Sequence, residues 1–68
     1  MVTITKEDLE ALTRMVDRYR LRGVAEALAH ICSVRAEVLR EEWRDDVAAS
    51  SWDMDGRRLD ILSAKTDN

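Results

Sequence analysis

Apolar residues recur along this chain in three helical stripes. Leu9, Leu12, Val16 and Tyr19 follow one another at spacings of three, four and three, with Met15 at the edge, which marks one face of an α-helix. Thr5 stands just ahead of that run and Glu7 and Asp8 open it. Thr5 therefore reads as the N-cap, with two carboxylates near the positive end of the helix dipole and Ile4 placed to staple against Leu9. The segment Arg20 to Gly23 breaks the register, and Gly23 is the natural turn position because it takes positive φ without a Cβ clash. The stripe resumes through Val24, Leu28, Ile31, Val38 and Leu39. A third run puts Ala48, Trp52, Leu59 and Leu62 on one face, with Gly56 beside Trp52 where a backbone can approach closely, and Val47, Met54 and Ile61 on another.

This pattern predicts a single all-α domain over 1–68: a three-helix protein with a short first helix at about 6–19 and a hairpin of helices at about 23–42 and 45–63. The second junction is poorly marked, since Glu41 to Asp46 holds neither Gly nor Pro. Asp45 or Asp46 can cap a new helix there, and Ser50 with Asp53 offers a later capping box. Without either turn the second helix runs on to about Ala49, too long to bury its apolar side within one small chain. The two apolar faces of the third helix ask for two packing partners, its own core and a second subunit, unless a turn at Asp55 and Gly56 rotates the later residues back into one core. The ends, Met1 to Thr3 and Ala64 to Asn68, read as frayed.

Size sharpens the expectation of a dimer. A chain of 68 residues has a core that rarely supplies more than about 3–5 kcal/mol, and small proteins add disulfides, metals or a second subunit. One Cys rules out an internal disulfide and, without a leader-like start, favours a reducing, cytoplasmic setting. No stretch approaches the roughly 18 apolar residues of a membrane span. The formal net charge of −3, from 14 acidic and 11 basic residues, does not favour nucleic acid or anionic membranes as partners.

The runs Met15 to Tyr19, Val24 to Cys32, Arg35 to Glu37 and Glu42 to Asp45, with a second tryptophan at Trp52, resemble a group of short uncharacterised bacterial proteins. The resemblance spans Leu12 to Leu62 and implies a helical protein. It carries over no activity and no site residue. The group tends to hold glycine where this chain has Arg20, which bears on where the first helix ends.

His30 and Cys32, the only residues of their kinds, invite a catalytic or metal-binding reading. Successive helical residues turn by about 100°, which places Cys32 among the apolar stripe and His30 about 160° from Leu28, beside Glu26, Glu37 and Arg44. The two diverge, so neither a nucleophile and base pair nor a shared metal follows, and His30 is left with a weak pairing to Glu26 one turn earlier. Carboxylates at Glu41 and Glu42, Asp45 and Asp46, and Asp53 and Asp55 lack the Glu-x-x-His spacing of helical metal sites. No cofactor and no enzymatic role are expected.

Arg35 projects near the centre of the second stripe with Glu42 seven residues later on the same side. It is either an arginine whose stem covers core atoms or a charge that sets register at a subunit interface. Trp43 and Trp52 either close the core or anchor a partner. The candidate interface is therefore Arg35, Glu42, Trp43, Val47, Trp52, Met54 and Ile61. Arg14, Arg18, Arg20 and Arg22 form a basic patch, yet the helix that follows opens Val24, Ala25, Glu26, which suits a major groove poorly. The function expected is a protein–protein interaction module, an adaptor, accessory subunit or regulator that self-associates as a homodimer. The competing reading is a DNA-associated regulator that uses the four arginines.

Overall fold

A computed structural model describes residues 3–68 as two helices, α1 (Lys6–Glu41) and α2 (Asp46–Lys65), folded back on each other as an antiparallel hairpin. Thr5 caps α1, its hydroxyl accepting from the Asp8 N–H at 3.1 Å. Asp45 caps α2 in the same manner, its carboxylate accepting from the Ala48 N–H at 3.0 Å. The connection is short: the Glu42 N–H closes α1 on Val38 O, Arg44 takes a left-handed φ of 53°, and the Asp45 N–H returns to Leu39 O. Ser50 and Asp53 lie inside α2, so their capping box is not used. Asp55 and Gly56 are helical as well, and no turn forms there.

The expectation of three helices is overturned. The first two stripes belong to one helical element, and Gly23 makes no turn: it is helical and has no positive φ. A single residue, Arg20 (φ 66°, ψ 166°), leaves helical geometry, and the helix resumes at once. One residue out of register bends α1 without room for a loop. Gly23 matters for another reason, since a Cβ there would lie 3.1 Å from the Tyr19 Cβ across the kink.

The kink strands N–H groups that a straight helix would satisfy internally. The Arg22 N–H donates instead to Asn68 O at 3.1 Å, and the Arg22 guanidinium donates to Thr66 O at 2.7 Å. The tail expected to fray is thus seated: Ala64 and Lys65 belong to α2, and Thr66 caps it. Of the other end, Thr3 is exposed, while Met1 and Val2 lie outside the described residues.

The seam between the helices is made of small side chains. Ala25, Ala29, Cys32 and Ala36 of α1 meet Ala49, Gly56 and Ser63 of α2, all of them buried. At Gly56 a Cβ would stand 3.2 Å from the Cys32 Cβ and 3.4 Å from Ala29 O, so the two backbones approach as closely as glycine permits. Ser63 satisfies its hydroxyl locally by donating to Asp60 O at 2.8 Å. A gap this narrow cannot take Leu28 or Ile31. The helix is therefore turned by about 70° from the orientation its large apolar residues predict, and Leu28 and Ile31 are left 42% and 49% exposed.

Candidate interaction surfaces

Because α2 packs on the small-residue arc of α1, the large apolar residues beside that arc form surfaces of their own. The levels of the hairpin are set by Cys32 against Gly56 and by Arg40, whose guanidinium donates to the Asp53 carboxylate. Arg40, Asp53, Ser33, Arg57 and Asp60 share one flank, which is polar. Counting 100° per residue from the seam, Val24, Leu28 and Arg35 of α1 and Ala48, Asp55, Leu59 and Leu62 of α2 come to the opposite flank, with Ile31 and Trp52 at its margins. That flank is a continuous, largely apolar front across both helices.

The segment 6–19, redirected at Arg20, stands over the same side of α1. Leu12, Met15 and Tyr19 from before the kink and Val24, Leu28 and Ile31 after it line a groove of about 550 Å³. The kink builds this groove, because in a straight helix residues before and after Arg20 never face one another.

The expected interface residues do not come together on one surface. Arg35 and Trp52 belong to the front. Val47, Met54 and Ile61 form a narrow stripe on the side of α2 turned away from α1, and Val47 is 84% exposed. Trp43 sits in the connection between the helices, 72% exposed, and closes no core. Glu42 caps the end of α1. Arg35 and Glu42 are roughly 10 Å apart along the helix axis at 1.5 Å per residue, and the ion pairs among the described residues are Arg40 with Asp53 and Arg58 with Asp55. Sequence reasoning passed over Asp55 as a possible turn residue. Nothing in the sequence marked it, because only the hairpin, counted from Cys32 against Gly56, brings Asp55 to within about 3 Å of the level of Arg35.

The four arginines are likewise divided. Arg14 and Arg18 lie along the first segment of α1, with the Arg18 guanidinium 5.9 Å from the Tyr19 ring centroid. Arg20 and Arg22 lie past them beside Glu26 and Asp67, and Arg22 is engaged at the tail. His30 and Cys32 diverge: Cys32 is 6% exposed in the seam, while His30 is exposed and forms no ion pair with Glu26. Among the described residues no group of three or more His, Cys, Asp or Glu is placed to hold a metal ion. No helix of the described residues is long and apolar enough to cross a membrane. Comparisons of the chain with family models, with curated proteins and with solved structures find no match.

Proposed function

We propose that this chain is a protein–protein interaction module that acts as a homodimer, a small cytoplasmic adaptor, accessory subunit or regulator. One observation carries the reading: the buried apolar side chains among the described residues are Ala25, Ala29, Cys32, Ala36 and Ala49, while Leu12, Met15, Leu28, Ile31, Met54 and Ile61 are exposed. Alanine and cysteine bury little area, and no large side chain among the described residues is fully buried. Large apolar residues in contiguous exposed patches mark interaction sites. The unpaired thiol suits a reducing compartment. The division of the arginines, with Arg22 drawn to Thr66 O, favours this reading over a DNA regulator, which needs its positive charges on one surface.

Sedimentation equilibrium over a wide dilution series tests it. The expected result is a concentration-dependent approach to twice the 7.8 kDa chain mass. A strictly monomeric chain at the highest concentration would overturn it.

A further inference from the structure

Three quantities bear on what covers the front. A folded monomer of 7.8 kDa exposes about 4,400 Å², whereas this chain exposes 5813 Å², an excess of roughly 1,400 Å². A standard interface takes about 800 Å² from each partner. The radius of gyration is 13.7 Å against about 11 Å for a compact domain of this length. The chain therefore carries surplus surface of the size that a dimer buries.

The charges on the front identify the occupant. Counted from Cys32 against Gly56, Arg35 and Asp55 lie within about 3 Å of the same level on neighbouring helices, at about 90° and 100° from the seam, and so both face out of the front. Neither is satisfied by the other: among the described residues Arg35 has no ion pair, and Asp55 pairs with Arg58, at 3.4 Å on the surface. A two-helix face, bordered by segment 6–19 along the Leu28 and Ile31 groove, with one cation over α1 and one anion over α2 at nearly the same level is complementary to itself. Rotating a copy about a two-fold axis parallel to the helices lays each α1 over the other chain's α2. Arg35 then meets Asp55 of the copy, and the same contact recurs once on the other side. A two-fold perpendicular to the helices would instead bring the two α1 helices together, with like charges opposed at that level.

We infer that the front is a homodimer seam in which two hairpins stack as a four-helix bundle, registered by reciprocal Arg35 and Asp55 pairs among Leu28, Leu59 and Leu62. This rests on the self-association proposed above and specifies its face and its axis. The stripe of Val47, Met54 and Ile61 is the alternative seat for a copy. It is one residue wide and bordered by Ser50, Ser51, Arg58 and Lys65.

The test is a charge exchange in the full chain, with self-association measured by sedimentation equilibrium and helicity by circular dichroism. Arg35→Asp and Asp55→Arg are each expected to raise the dissociation constant about a hundredfold, because each like-charge contact enters the interface twice. The double variant is expected to return to within about tenfold of wild type. Met54→Asp is expected to leave the dimer unchanged. If the single variants lose helicity along with the dimer, restoration of both by the double variant still supports the seam. A wild-type dimer that tolerates both single changes, or that the double variant fails to restore, overturns the seam while self-association stands. A dimer broken only by Met54→Asp places the copy on the α2 stripe and also overturns it. A monomeric wild type removes the self-association itself.

Discussion

Replacing Arg20 with glycine should stabilise this protein, although the same change in an ordinary helix does the reverse. Arg20 holds φ 66° and ψ 166°, a region that glycine occupies freely and other residues enter at a cost of about 1–3 kcal/mol. Glycine relieves that strain but adds freedom to the unfolded chain, worth about 0.4–1 kcal/mol against the fold. The net expectation is a gain of about 1–2 kcal/mol, or an increase of roughly 5–15 °C in Tm at 4–8 °C per kcal/mol for a chain of this size. Arg20→Ala is the matched control: it removes the same guanidinium and keeps the strained φ, so its Tm should stay near that of wild type. In a straight α1, glycine at this position would instead lower stability by about 1 kcal/mol relative to alanine. The assay is thermal and urea unfolding followed by circular dichroism at one fixed protein concentration, since the self-association proposed above makes Tm concentration-dependent. An Arg20→Gly protein no more stable than Arg20→Ala would refute the kink as described.

Two further substitutions probe the seam and the connection. Gly56→Val puts a branched side chain where even a Cβ lies 3.2 Å from the Cys32 Cβ; overpacking of this kind should cost about 2–3 kcal/mol in urea unfolding, and a neutral result would mean that the helices are not in close backbone contact. Asp45→Ala removes the acceptor of the Ala48 N–H and should lower stability by about 1 kcal/mol, whereas Asp45→Asn should retain most of it.

The local features were legible in the sequence because their causes lie within a turn or two of chain. Thr5 and Asp45 stand immediately before the helices that they cap, and their side chains reach only three residues onward. The divergence of His30 from Cys32 follows from helical geometry alone. The kink was half legible. A break after Tyr19 was marked by the loss of register, but not its placement at Arg20 rather than Gly23, nor the tail more than forty residues away that accepts from Arg22 beside it.

The sequence by itself determined that the chain is helical and that it caps at Thr5 and can cap at Asp45, but it set a third helix start near Gly23 that the structure does not have. Only the tertiary structure decided which arc of α1 faces α2. Periodicity locates a stripe but weights it by hydrophobicity, and so it placed Cys32 in the core yet favoured Leu28 and Ile31 over Ala25 and Ala29. What selects the arc is the distance between the backbones, and Gly56 makes that distance too short for anything but small side chains. The large residues are displaced to the flank for the same reason, and Arg35 and Asp55, distant in sequence, come to within about 3 Å of the same level there because the hairpin folds them onto one face.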